Sequence, residues 1–142
     1  MIEVEKVDEE GQIYFFIKGT KILHREDGPA AIFRNGKKEW WLNGLLHRED
    51  DPAIERPNGD EIWYRYGKFH REDGPAFISI GAKEWWINGK LHREDGPAKE
   101  YFTGKKEWYL YGYYFSTKES WFEALTEEQK AKALYSEYFM RC

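Results

Sequence analysis

Cysteine is all but missing from this chain. Cys142 is its single copy, so no intrachain disulfide can form. A cationic excess is missing as well. Lys+Arg number 22 against 26 Asp+Glu, a formal net charge of -4, which leaves no surplus to neutralise phosphates and argues against a nucleic-acid partner. No stretch approaches the roughly 18 apolar residues of a membrane span. The opening Met1-Ile2-Glu3-Val4-Glu5-Lys6 lacks the charged-then-apolar order of a signal peptide. A cytoplasmic location is the expectation from these absences. There is also no Walker loop, no Cys/His metal spacing and no nucleophile elbow, so neither an enzyme nor a cofactor is expected.

What the chain does have is aromatic area. Aromatics are 18% of the residues while charged residues are 34%. Apolar surface therefore comes in a few large pieces, and few positions can build a core. This is not a disordered composition, and 142 residues is one domain's worth of chain by the prior of roughly 100–200 residues per domain.

One heptapeptide organises everything else. His24-Arg25-Glu26-Asp27-Gly28-Pro29-Ala30 recurs at His47 to Ala53, His70 to Ala76 and His92 to Ala98, with Asp51 in place of the glycine in the second copy. The starts are 23, 23 and 22 residues apart (24 to 47 to 70 to 92). A fixed period in this range marks an array whose units bury their apolar faces on one another. Aligning on the aromatic segments gives five units, beginning Ile13, Lys38, Glu61, Lys83 and Lys106. Asn35-Gly36, Asn43-Gly44, Asn58-Gly59 and Asn88-Gly89, with Gly67, Gly104 and Gly112, punctuate them as hairpin turns. The fold expected is mainly β: an elongated antiparallel hairpin array in a single twisted sheet. Residues 1–10 form a lead-in or edge strand, 11–115 the repeats, and 116–142 a helical cap.

Side-chain parity sorts the two faces. Phe15, Trp40, Trp63, Trp85 and Trp108 share one face with Ile17, Leu42, Ile87 and Leu110, with Arg65 as the exception; this is the expected core face. Phe16, Trp41, Tyr64, Trp86 and Tyr109 point the other way, beside Glu39, Glu84 and Glu107. This second, amphipathic ladder is the candidate partner-binding site, because exposed aromatic rows mark interaction surfaces. Beyond Gly112 the pattern stops. Ser116-Thr117-Lys118-Glu119 and Thr126-Glu127-Glu128-Gln129 read as capping boxes opening two helices. Ala131, Leu134, Tyr135, Tyr138 and Phe139 form an apolar stripe on the second.

All four histidines lie in the repeated loops. Units two strands apart are about 9–10 Å from one another at about 4.8 Å per strand, too far for imidazoles that must each sit about 2.0–2.1 Å from a shared zinc. The loops therefore read as structural, with Arg and Glu of adjacent loops in an ion-pair ladder and His and Asp bonded to loop backbone. If the glycine position demands φ > 0, Asp51 is strained; if it is extended, aspartate fits.

The phrase Trp41-Leu42-Asn43-Gly44-Leu45-Leu46-His47, and still more Asn88-Gly89-Lys90-Leu91-His92, resembles the MORN repeat, which has the same period. Arg93-Glu94-Asp95-Gly96-Pro97-Ala98 stands in place of that repeat's short glycine pair, a variant similar to arrays in large bacteriophages and giant viruses. Trp121 to Thr126 resembles the tail that closes such arrays. The resemblance implies a protein-binding or dimerising scaffold. It also implies that a phage chain would act in the host cytoplasm, binding or inhibiting a host protein such as a defence factor. The expected function is thus a non-enzymatic protein-interaction module, with a homodimer as the self-partnered form. Small-ligand or carbohydrate binding through the exposed aromatic ladder is the alternative. Membrane-lipid binding, proposed for some MORN proteins, is disfavoured by the acidic balance.

Overall fold

The chain turns wherever glycine follows a residue held at positive φ. Asn43, Tyr66, Asn88 and Tyr111 have φ of 48 to 50°, and Gly44, Gly67, Gly89 and Gly112 follow at 78 to 85°. Both central residues of a type I′ turn need this conformation. In this structure, a computed structural model describing residues 2–136, eleven of the strands form one antiparallel sheet. Their order, numbered along the chain, is β1 (Val4–Glu9), β2 (Gln12–Ile17), β3 (Ala31–Ile32), β4 (Lys38–Glu39), β7 (Ile54–Glu55), β8 (Glu61–Ile62), β11 (Phe77–Ile78), β12 (Ala82–Glu84), β15 (Lys99–Tyr101), β16 (Lys106–Leu110) and β17 (Tyr113–Phe115). The mainly β array with two C-terminal helices is as the repeats predict. Residues 4–9 make a full edge strand, paired with β2 from Val4↔Ile17 to Glu9↔Gln12.

Alternate hairpins leave this sheet as ribbons: β5 (Trp41–Leu42) with β6 (Leu45–Leu46), β9 (Tyr64–Arg65) with β10 (Lys68–Phe69), and β13 (Trp86–Ile87) with β14 (Lys90–Leu91). The chain changes partner at one aromatic per unit. Trp40 donates its N–H to the Ala53 carbonyl at 2.8 Å, and its own carbonyl accepts from His47 N–H at 3.0 Å. Phe15, Trp63 and Trp85 are held in the same way by Ala30 and His24, Ala76 and His70, and Ala98 and His92. The first and last residues of the heptapeptide thus bracket the backbone of a single aromatic.

The residues between them cover its ring. The guanidinium carbons of Arg25, Arg48, Arg71 and Arg93 lie 3.8 to 4.0 Å from the ring centroids of Phe15, Trp40, Trp63 and Trp85. Nε donates to the aspartate two residues on in three loops, as Arg93 does to Asp95 at 2.8 Å, and Nη1 donates to the proline carbonyl in all four. This corrects the expectation of an Arg–Glu ladder between loops: the arginines act mainly within their own unit. It also corrects the core face, since Trp40, Trp63 and Trp85 are only half-buried, like the opposite ladder, and of that row only Trp108 and Leu110 are buried. A planar cation with a solvent-facing edge covers one ring face and leaves the rim open.

The glycine serves this stack through space rather than through φ. None of Gly28, Gly74, Gly96 or Asp51 has a left-handed φ, which removes the strain reading of Asp51. A Cβ on Gly96 would sit 2.9 Å from Arg93 Cζ. The second loop shows the consequence: Arg48 lacks the Nε bond to the following aspartate and instead holds Asp51 at 3.6 Å, while it keeps the contact to Glu55 at 2.8 Å that Arg93 makes with Glu100. Gly96→Ala is therefore expected to leave the guanidinium over Trp85, as Arg48 remains 3.8 Å over Trp40, but to break the Arg93–Asp95 bond and cost about 1 kcal/mol, the lost charged hydrogen bond outweighing the gain from a stiffer unfolded chain. Chemical denaturation would read this. A stabilised variant would show that the close approach is immaterial.

The fifth unit has no heptapeptide after it, and helix α1 (Lys118–Glu123) takes over the covering role. Its Trp121 is fully buried, with its ring 4.7 Å from that of Trp108 and Nε1 donating to the Arg93 carbonyl at 3.1 Å. Trp108, Leu110, Trp121, Leu125 and Ala133 form an apolar cluster with Phe115 and Phe122 packed against it. The N-cap of α1 is Thr117, accepting from Ser120 N–H, one residue later than expected. The Thr126–Gln129 capping box opens α2 (Glu127–Leu134) as expected. The apolar stripe on α2 is not as expected. Leu134 and Tyr135 are exposed, and the helix approaches the cluster through Ala133, whose methyl permits close contact. Tyr138 and Phe139 lie outside the described residues.

Candidate interaction face

Trp41, Trp86 and Tyr109 each stand two residues after an acid, so parity puts the two on one face and within reach. Trp41 Nε1 donates to Glu39 at 3.2 Å, Trp86 Nε1 to Glu84 at 2.8 Å, and the Tyr109 hydroxyl to Glu107 at 3.0 Å. A lysine closes each carboxylate: Lys37 on Glu39 at 3.4 Å, Lys99 on Glu84 at 3.6 Å, and Lys105 on Glu107 at 3.4 Å. The seven predicted site residues are therefore brought together as rungs, but the acids are already satisfied. Tyr64 has no acid, because Ile62 occupies that position.

Burial raises the Tyr109 hydroxyl to about 12, with the Glu107 carboxylate adding to the effect. At Glu107 burial works upward, but hydrogen bonds from Tyr109, Lys105 and Tyr101 outweigh it and hold the carboxyl below its usual value. Burial also raises the Tyr64 hydroxyl. These phenols remain neutral donors across the physiological range.

Residues missed from the sequence complete the face. Cross-strand pairing sets Leu46 opposite Trp41, Phe69 opposite Tyr64, Leu91 opposite Trp86 and Tyr114 opposite Tyr109. Phe69 stacks between two rungs, 4.6 Å from Tyr64 and 5.0 Å from Trp86, both at 28°. The signal was available: these partners lie at equal distances on either side of the Xaa-Gly turns.

No protein-family model, curated protein or solved structure matches this chain.

On the opposite side, clefts open between successive heptapeptide loops. One of about 770 Å³ lies between the third and fourth loops, with Trp85, Ile87, His92 and Lys132 in its lining. The cleft between the second and third is about 330 Å³. Arg65 lines the smaller one, bonding Glu49 at 3.2 Å and Glu72 at 3.4 Å, whereas Ile87 stands at its repeat position in the larger. This explains the exception in the core row: Arg65 ties two loops together. Among the described residues no three His, Cys, Asp or Glu side chains are grouped to hold a metal, and no helix is long and apolar enough to cross a membrane.

Proposed function

We propose that the chain is a non-enzymatic protein-interaction module that meets a protein partner across the ladder of Trp41, Tyr64, Phe69, Trp86 and Tyr109. The observation that carries this reading is a row of half-buried rings whose acids are neutralised within the fold. Such a face offers aromatic area and little net charge, as the centres of protein interfaces do. A sugar would need a free ring face to lie on, and stacking takes up both faces of Phe69 and one face each of Tyr64 and Trp86, which weighs against the carbohydrate alternative. A host protein such as a defence factor is the partner that the resemblance to phage arrays puts forward.

Trp86→Ala is expected to weaken partner binding by about 2 kcal/mol or more, roughly 30-fold, the scale of an interface hot spot. Proteins enriched from lysate on the native chain should be lost with Trp86→Ala and with Phe69→Ala, and retained with Lys83→Ala on the other face. Circular dichroism would confirm that each variant is folded. Undiminished enrichment by folded Trp86→Ala and Phe69→Ala would place the contact elsewhere, and light scattering would reveal a homodimer.

A further inference from the structure

The four histidines are the least explained groups in the fold if they are mere loop filler. Each is 2 to 8% exposed, and each does the same thing. Nδ1 of His24, His47, His70 and His92 accepts the backbone N–H of Asn43, Tyr66, Asn88 and Tyr111, at 2.8 to 3.0 Å. Those four donors are the positive-φ residues that start the turn of the next unit. An Nδ1 that accepts an N–H carries no proton, so the neutral ring keeps its proton on Nε2, which faces a glutamate two residues on: Glu26, Glu49, Glu72 or Glu94, at 2.9 to 3.9 Å.

We propose that these histidines are a pH-sensitive lock between units: uptake of a proton at Nδ1 sets N–H against N–H, breaks the bond to the next turn, and loosens the aromatic-bearing hairpin tied there. Asn43 belongs to the β5–β6 hairpin that carries Trp41, Asn88 to that of Trp86, and Tyr66 and Tyr111 to those of Tyr64 and Tyr109. In a repeat array stability is a sum of unit and neighbour terms. One chemical event repeated at four junctions therefore acts on the whole ladder, and the proposed interaction face is where it would be felt. The lock itself rests on the hydrogen-bond geometry and stands whether or not that face is the partner site.

Opposing groups surround each ring. A glutamate carboxylate faces each Nε2. At the central junctions Arg65 lies 3.4 Å from Nε2 of His70 and bonds also to Glu49 and Glu72. The rings of Tyr66 and Tyr111 lie 4.2 and 3.9 Å from His47 and His92, excluding water. Gln129 donates to Glu94, and Arg71, Asp73, Arg93, Asp95 and Lys132 line the cleft that His92 faces. Burial lowers the proton affinity of His92, with Glu94 working against it. The sign follows: a histidine whose folded value lies below its unfolded value contributes stability that is full above the unfolded value of about 6.5 and is lost as pH falls through the folded value.

The test is an amide and imidazole NMR titration of the intact chain from about pH 8 to about pH 5.5, above the carboxylate range. At the upper end all four rings should show an unprotonated Nδ1. As the rings take up protons, the amides of Asn43, Tyr66, Asn88 and Tyr111 should lose hydrogen-exchange protection together. At Tyr111 the loss, corrected for intrinsic rates, should be about tenfold for each unit by which folding lowers the proton affinity of His92. A chain with Asn at all four positions keeps a non-titrating acceptor and should show no such loss. A proton on Nδ1 at the upper end, or protection unchanged while the rings titrate, overturns the lock. So does an equal loss in the asparagine chain. Partner binding is not read, so failure here would leave the proposed function untouched.

Discussion

Trp121→Ala will destabilise the protein by about 3–5 kcal/mol, the usual cost of deleting a fully buried large aromatic. The chain has little core to absorb such a loss. Along the array the fully buried apolar side chains are mostly alanines, Ala30, Ala53, Ala76 and Ala98, whereas the cluster at the cap holds Trp108, Leu110, Trp121 and Leu125. Removing Trp121 opens a cavity against Trp108, leaves the Arg93 carbonyl without its indole donor, and detaches α1 from β16. The end of the sheet would then be left uncovered, a known liability of arrays and sheet edges. Thermal and urea denaturation would measure the cost. A loss near that of an exposed residue would mean that the helices are ornament rather than cap.

Arg93→Ala should cost about 2–4 kcal/mol, and Arg93→Lys most of that. Arg93 is 17% exposed at its side chain, stacks 3.8 Å over Trp85, and donates to Asp95, the Pro97 carbonyl and Glu100. Charged hydrogen bonds contribute about 1.5–3 kcal/mol and a desolvated cation–π contact up to about 2, with overlap between them. A lysine ammonium can neither lie flat on the indole nor fork to three acceptors. Arg71 supplies an internal control. Ile78 stands where Glu100 stands for Arg93, so Arg71 has one contact fewer, and Arg71→Ala should be the milder variant. Equal losses at the two sites would show that the glutamate contact adds nothing.

Both expectations come from contacts that the repeat pattern concealed. The heptapeptide announced itself as important, yet its roles are distributed: histidine to the next turn, arginine to the preceding ring, glutamate to histidine, aspartate to arginine, glycine to the guanidinium, proline through its carbonyl, and alanine beneath the strand. Pairing arginine with glutamate across loops was the natural electrostatic reading. It failed because the aspartate in the same loop is nearer, and because an indole face is available for the cation.

The sequence by itself determined the period, the five units, the turns and the side on which each aromatic lies. These are local properties. A residue and a glycine at positive φ define a turn, and alternation along a strand defines a face, without reference to anything distant in the chain. Tertiary structure alone decided what covers each face. It split every second hairpin from the main sheet at Trp40, Trp63 and Trp85, covered those rings with arginines instead of a second layer, and matched Glu39, Glu84 and Glu107 with lysines. The physical reason is that parity specifies direction but not distance or occupancy. Which cation reaches which ring depends on loops returning across neighbouring strands, and that geometry exists only once the units are stacked.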